Sequence, residues 1–243
     1  VRKDVVSEEL FHGLVIGWVG LAVAVFIALF FVSAPYGRHE RRGWGKTIPS
    51  RWGWLVMEAP SAIVFAAAFV FGSAPRSFTS WVFLLLWEVH YVHRAFIYPF
   101  TIRSSGRRMP LAVMFMGVIF NLVNAVINGY HVFSLSGGYR NAWLLEPRFL
   151  TGITLYVTGF AINRWSDQIL RALRAPGEKG YKIPQGGLYR WVSSPNYLGE
   201  IVEWCGWALA TWSLAGLAFA AWTIANLAPR ARANHAWFRR TFP

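Results

Sequence analysis

The sequence predicts an all-α fold: a polytopic membrane protein in which seven transmembrane helices form one bundle. Hydrophobic residues make up 55% of the chain and charged residues only 14%, whereas charged residues are about 25% of an ordinary soluble domain. The chain also contains 14 Trp residues, and Trp is enriched at the two membrane–water interfaces. Several apolar runs approach the ~20 residues that a helix needs to cross a bilayer.

Seven such runs follow one another along the chain. They cover residues 9–33, 53–73, 79–100, 111–134, 147–171, 195–212 and 216–235. The first is too long for the apolar region of a signal peptide, and only a short turn, residues 213–216, separates the last two. The single cysteine, Cys205, cannot form a disulfide framework. We therefore expect one membrane domain over residues 1–243.

Basic residues predict the orientation of the seven spans. Most of the 24 Lys and Arg residues lie in or beside the loops after the first, third and fifth spans and in the tail. Because cytoplasmic loops are enriched in basic residues, we expect the C-terminus in the cytoplasm and the N-terminus outside. The host would be the inner membrane of a bacterium or the endoplasmic reticulum of a eukaryote. Contact with anionic lipid explains the net charge of +13, so we expect no nucleic acid and no obligate protein partner.

Span two carries a glutamate inside an apolar run. Glu58 lies just before Pro60, which removes a backbone donor and can bend the helix. Ionisable side chains within a membrane are costly and usually line a functional cavity. The alternative is a buried glutamate that only fixes the contacts between helices.

Span three concentrates titratable side chains. Glu88 and Tyr91 are three residues apart and can share a face, whereas His90 and Arg94 form an i, i+4 pair on another. Two histidines and a glutamate suggest a metal site, but His90 and His93 lack the HExxH spacing. We therefore expect no metal.

Spans four and five each carry a polar stripe. Asn121, Asn124 and Asn128 fall at i, i+3 and i+7, although asparagines often serve only to hold membrane helices together. In span five, Asn163 and Asp167 are four residues apart, and Arg171 and Arg174 follow at the cytoplasmic end.

The segment before span six is a basic loop that contains the pair Gly186-Gly187. It leads directly into Asn196, Glu200 and Glu203, which share one helix face. We interpret this loop as a lid over a polar ligand.

Polar residues of spans two to six should therefore meet near the cytoplasmic leaflet. A dinucleotide suits this mixture, because its phosphates favour Arg and Lys and its ribose hydroxyls need Asp, Glu or Asn acceptors. No GxGxxG fingerprint follows a predicted strand, which argues against a Rossmann domain.

Four motifs resemble the steroid 5α-reductase family, in a bacterial-type form of its steroid-reducing branch. They are Glu58-Ala-Pro-Ser61, His90-Tyr-Val-His-Arg94, Pro184-Gln-Gly-Gly-Leu188 and Pro195-Asn-Tyr-Leu-Gly-Glu-Ile-Val-Glu-Trp204. The resemblance extends from about Tyr36 to the tail and is strongest over the C-terminal signature, residues 163–213. It implies a seven-span reductase domain that takes NADPH from the cytoplasm and a steroid from the lipid bilayer.

The resemblance also implies a role for individual residues. Glu58 and Tyr91 would be catalytic and hold the substrate ketone. The residues around NADPH would be Tyr36, Tyr98, Arg107, Asn124, Asn163, Asp167, Arg174, Tyr181, Lys182, Asn196, Glu200, Arg230 and His235. The chain departs from the family pattern at Met57 (a glutamine in relatives) and at Lys182 and Met116 (arginines). The histidine cluster of the tail is reduced to His235.

These features predict NADPH-dependent reduction of the Δ4 double bond of membrane-borne 3-oxo-Δ4 steroids to 5α-dihydro products. Hydride would add to the β carbon while Tyr91 and Glu58 stabilise the developing enolate oxygen. Two alternatives remain open. One is a membrane methyltransferase of the isoprenylcysteine or phospholipid type that uses S-adenosylmethionine, and the other is a non-enzymatic sterol-binding protein.

Overall fold

The computed structural model describes residues 7–32, 39, 43–101, 108–173 and 181–242. Within these residues the fold is all-α apart from one small strand pair, and seven long helices follow the seven predicted segments. They are α1 (Glu8–Phe31), α2 (Ser50–Phe71), α3 (Phe78–Val92), α5 (Leu111–Tyr130), α6 (Pro147–Ala172), α7 (Pro195–Thr211) and α8 (Leu214–Thr241).

Three of these segments are long and apolar enough to cross a membrane. They are Glu8–Phe31, Ser50–Phe71 and Leu111–Leu135, where the third continues α5. The helical nature of the other four predicted segments is confirmed, whereas their crossing of a membrane stays a prediction.

Shorter elements connect the helices. The strands β1 (Thr47–Pro49) and β2 (Arg108–Pro110) pair in antiparallel fashion before α2 and α5, an element that the apolar runs do not predict. Helix α3 continues through a π-helical turn, His93–Ile97, into the short α4 (Tyr98–Thr101), and α5 continues through a second π turn, His131–Leu135. Two 3₁₀ turns, Asn141–Leu145 and Gly187–Arg190, precede α6 and α7.

Local chemistry explains where helices begin. Ser77 and Ser80 form a reciprocal capping box at the start of α3, which satisfies backbone donors that have no partner within the helix. Pro147 and Pro195 occupy the first positions of α6 and α7, where the missing N–H costs nothing. Ser213 caps α8 by accepting from the Gly216 amide at 2.9 Å.

Helices α6 and α7 pack backbone to backbone through glycines spaced seven residues apart. A Cβ on Gly159 or Gly206 would collide with the backbone of the facing helix, and one on Gly199 would lie 2.5 Å from the Asn163 amide nitrogen. Small residues permit this close approach between membrane helices. It places the polar ends of α6 and α7 against each other.

The core of the bundle is aromatic. Phe65 stacks on Trp87 with ring centroids 4.3 Å apart, and Trp204 packs on Phe219 at 4.1 Å. Trp207 contacts Trp87 edge to face at 5.3 Å. Aromatic rings from α2, α3, α7 and α8 therefore pack against one another in the core of the bundle.

Candidate functional site

A cavity of about 810 Å³ lies between the helices and is lined by residues of α1, α2, α3, α5, α6, α7 and α8 together with the segment before α7. This volume is within the range of pockets that hold small-molecule ligands. Its apolar wall includes Trp18, Phe120, Trp204, Phe219 and Trp222. Its polar wall includes Glu58, Tyr91, Arg94, Asp167, Asn196 and Glu200.

One end of the polar wall contains Glu58 and Tyr91. Pro60 removes one backbone donor from this part of α2, and Asn121 of α5 donates to the Met57 carbonyl at 2.9 Å. The same amide donates to Glu58 Oε2 at 3.3 Å. Tyr91 is 2% exposed and packs against Trp87 at 5.0 Å. Two buried ionisable groups therefore border the same cavity.

Arg94 connects the two ends of the polar wall. Its Nη2 lies 3.8 Å from Glu58 Oε1 and 4.0 Å from Glu200 Oε2. The guanidinium also lies over the rings of Trp54 and Tyr98, each 5.1 Å from the ring centroid. Cation–π contacts and two carboxylates compensate a buried guanidinium.

The other end is a chain of amides and carboxylates between α6 and α7. Asn163 donates to the Asn196 carbonyl at 2.9 Å and to Glu200 Oε2 at 3.3 Å. Asn196 donates to Asp167 Oδ1 at 3.1 Å. Asp167 Oδ2 is buried and has no hydrogen-bond partner among the described residues. Because a buried acceptor normally has a donor, this oxygen fits a hydroxyl of a bound ligand, as a ribose would provide.

The tail of α8 covers the segment before α7. Trp237 packs edge to face on Tyr181 at 5.0 Å, and Arg230 Nε donates to the Tyr197 hydroxyl at 2.8 Å. Asn234 donates to Ser194 Oγ at 3.2 Å. The described part of the predicted lid, residues 181–194, is thus attached to α8 by the ring contact of Tyr181 and the hydrogen bond of Ser194, whereas Arg230 binds α7 itself.

Most of the predicted site residues that the structure describes lie on the cavity. These are Glu58, Tyr91, Tyr98, Asp167, Tyr181, Lys182, Asn196, Glu200 and Arg230. Tyr36, Arg107 and Arg174 lie outside the described residues. Their predicted roles toward a cofactor remain predictions.

Three predicted cofactor residues do not line the cavity. Asn163 donates hydrogen bonds to Asn196 and Glu200, which do line the cavity. Asn124 accepts from the Trp18 indole at 3.4 Å and donates to a carbonyl of its own helix. His235 is exposed and hydrogen-bonded to Ser193 Oγ at 2.6 Å.

Arg94, Asn121 and Asn234 are among the polar residues of the cavity that the sequence did not assign to the site. Arg94 was assigned to a pair with His90, but His90 instead binds Glu203. Asn121 belongs to the predicted asparagine stripe, and its partner Glu58 is 63 positions away in the chain. Asn234 lines the cavity next to the exposed His235. Among the described residues, no group of three or more His, Cys, Asp or Glu side chains could hold a metal ion.

Similarity to known proteins identifies the family. Residues 107–243 match the family model described as 3-oxo-5-alpha-steroid 4-dehydrogenase. This chain belongs to the steroid 5α-reductase family. It is 41% identical to 3-oxo-5-alpha-steroid 4-dehydrogenase 1 of Homo sapiens over 240 residues, which are 98% of this chain and 92% of that relative. It is 39% identical to Steroid 5-alpha-reductase DET2 of Gossypium hirsutum over 241 residues, with 97% and 93% covered.

Membership of the steroid 5α-reductase family confirms the resemblance inferred from the four motifs. It also confirms the prediction of an oxidoreductase and favours the reductase over the methyltransferase and sterol-binding alternatives. The two relatives match 97% and 98% of this chain, so the family assignment covers nearly its whole length.

Proposed function

We propose that this protein reduces the Δ4 double bond of 3-oxo-Δ4 steroids with NADPH and yields 5α-dihydro products. One observation carries the proposal: Glu58 and Tyr91 border the same cavity as Asp167, Asn196 and Glu200. A substrate ketone and a dinucleotide could therefore be held side by side. Family membership supports steroid 5α-reduction, and the cofactor and residue roles are our proposals.

The apolar wall suits a fused-ring substrate. Trp204 and Phe219 pack with centroids 4.1 Å apart, and Trp18 and Trp222 lie at 4.5 Å. Flat aromatic surfaces give a planar hydrocarbon a large contact area with little loss of side-chain freedom. The cavity therefore combines an apolar length for the ring system with a polar end for the 3-ketone.

Glu58 and Tyr91 would act on the ketone oxygen. As the β carbon of the enone is reduced, negative charge develops on that oxygen, and donors already in place stabilise it more in the transition state than in the ground state. Tyr91 can donate from its hydroxyl, and Glu58 can donate when its carboxyl is protonated. A proton from solvent added to the α carbon completes the reduction.

The α6–α7 end would hold NADPH, which supplies the hydride. Asp167 Oδ2 and Glu200 would accept from hydroxyl groups, and Asn196 would fix the orientation of Asp167. Lys182 and Arg230 line the cavity and would bind phosphate, a role for which cations are suited. The lid before α7 would limit the access of bulk water to the bound cofactor and substrate.

Purification of the protein and analysis of any bound nucleotide tests this assignment. We expect NADPH by mass and absorbance, and conversion of testosterone to its 5α-dihydro product when NADPH is supplied. Bound S-adenosylmethionine, or folded protein that binds testosterone without reducing it, would overturn the proposal. We further propose that all seven long helices cross the membrane with the C-terminus in the cytoplasm, which labelling of the two termini in intact cells would check.

A further inference from the structure

A buried pair that the proposed mechanism does not use lies directly behind Tyr91. His90 Nδ1 of α3 is 2.7 Å from Glu203 Oε1 of α7, and the two residues are 113 positions apart in the chain. His90 is 3% exposed and Glu203 is fully buried. At this distance a carboxylate and an N–H form a strong, short hydrogen bond.

Glu203 belongs to the closely packed contact between α6 and α7. Its backbone lies against Gly159 of α6, where any Cβ would collide with the Glu203 amide nitrogen. Glu203 also follows Glu200 by three residues on the same face of α7. Its side chain therefore extends from the helix that carries part of the proposed cofactor site.

The imidazole is the link between Glu203 and Tyr91. The His90 ring packs edge to face on Tyr91 at 5.0 Å and on Trp204 at 4.6 Å. All three side chains border the cavity. A hydrogen bond at Nδ1 selects one orientation of the imidazole ring, and that ring in turn limits where the Tyr91 ring can lie.

Stability alone is a weak reason for this pair. Replacing both partners of a buried hydrogen bond by apolar side chains of the same shape can be nearly neutral or stabilising. The rings that pack on His90 are aromatic, those of Tyr91 and Trp204 among them, and such surroundings could accommodate apolar side chains. The pair has a better explanation in the alignment of α3 with α7.

We propose that Glu203 is a positioning residue for the reduction. Through His90 it fixes the Tyr91 ring, and with it the substrate ketone, relative to the cofactor-binding face of α7. This inference rests on the role proposed for Tyr91. It adds that the contact from Glu203 through His90 fixes the position of the Tyr91 hydroxyl. Misplacing a reacting group by about 1 Å can cost 10²-fold in rate.

Three variants and one control test the proposal in purified, NADPH-loaded protein with testosterone as substrate. Glu203→Gln keeps an acceptor for the imidazole, whereas Glu203→Met removes it. The double variant His90→Phe/Glu203→Met replaces the whole pair by apolar side chains. Glu146→Gln is the control. Glu146 lies at the N-terminus of α6, and its only ion pair among the described residues is with Arg148.

The double variant is the decisive measurement. We expect it to keep the melting temperature and NADPH affinity of the wild type, since no buried polar group is left unpaired, while kcat falls about tenfold to a hundredfold. Glu203→Gln should retain most of the turnover, and Glu146→Gln should match the wild type. A folded double variant with wild-type kcat would overturn the positioning role, because a structural role alone predicts that result.

Tyr91→Phe separates the two proposals. If it turns over testosterone normally, the proposed function of Tyr91 fails and the positioning role fails with it. If Tyr91→Phe is slow but the double variant is fast, only the role of Glu203 is wrong. When both hold, Glu203→Met should reduce kcat much less in the Tyr91→Phe background than in the wild type, since the hydroxyl to be positioned is gone.

Discussion

Glu58→Gln and Tyr91→Phe should each slow steroid reduction while leaving NADPH binding almost unchanged. Both substitutions nearly preserve volume: Tyr91→Phe removes the hydroxyl donor, and Glu58→Gln replaces an ionisable carboxyl by an amide, whose N–H is a much weaker acid and donor. Glu58 is 7% exposed and Tyr91 is 2% exposed, so bulk water has little access to replace the lost hydrogen bond. Loss of one oxyanion donor costs about 2.7–4 kcal/mol, which is roughly 10²–10³ in kcat/KM because each ~1.4 kcal/mol is tenfold.

The double variant adds a second, independent expectation. If both groups donate to one oxygen, the combined loss should be smaller than the sum of the two single losses. Cofactor affinity should hold, because the contacts among Asp167, Asn196 and Glu200 are made by α6 and α7, whereas Glu58 and Tyr91 lie on α2 and α3.

The assay measures steroid turnover, NADPH affinity and melting temperature on the same preparations. A purely structural role predicts lower melting temperatures with normal turnover per folded molecule. Wild-type turnover in Tyr91→Phe would refute the oxyanion argument. Loss of NADPH binding in either single variant would place the cofactor against α2 and α3 rather than against α6 and α7.

Three further predictions concern the cofactor end and the scaffold. Asp167→Ala should weaken NADPH binding more than tenfold, about 1.5–3 kcal/mol for a lost charged hydrogen bond, and unchanged affinity by calorimetry in folded protein would remove Asp167 from the site. Lys182→Met should reduce the preference for NADPH over NADH, because Lys182 borders the cavity and its charge suits a 2′-phosphate. The measurement is kcat/KM with NADPH divided by kcat/KM with NADH, and the same quotient in the wild type and the variant would contradict this prediction. Gly199→Ala should lower stability by about 1–3 kcal/mol through overpacking, since its Cβ would meet the backbone of α6. Gly13→Ala on α1, where nothing lies within 4 Å, is the matched control, and equal melting temperatures would refute the close approach of α6 and α7.

The positions of the helices could be predicted from sequence because apolar length is a local property. The predicted span 147–171 became Pro147–Ala172, and the span 195–212 became Pro195–Thr211. Proline at both N-termini supports these boundaries. The two π turns and the β1–β2 pair were not predictable, since each depends on contacts with other segments rather than on hydrophobic period.

Polar residues of the site could be predicted as a group but not individually. Asn121 and Asn124 are three residues apart in one stripe, yet Asn121 lies on the cavity with Glu58 while Asn124 is bonded to Trp18. Small differences in the rotation of α5 decide between these roles, and rotation is set by the neighbouring helices. A stripe in the sequence predicts a shared face and does not tell which helix that face meets.

By itself the sequence determined the class of protein, the helical segments and the motifs of the family, because composition, apolar length and short spacings are written along the chain. Only the tertiary structure decided the partners: Arg94 between Glu58 and Glu200, and His90 with Glu203. These contacts join residues that are 36 to 113 positions apart in the numbering. The physical reason is that a buried charge takes the partner that helix rotation and depth bring within reach, and those are properties of the assembled bundle.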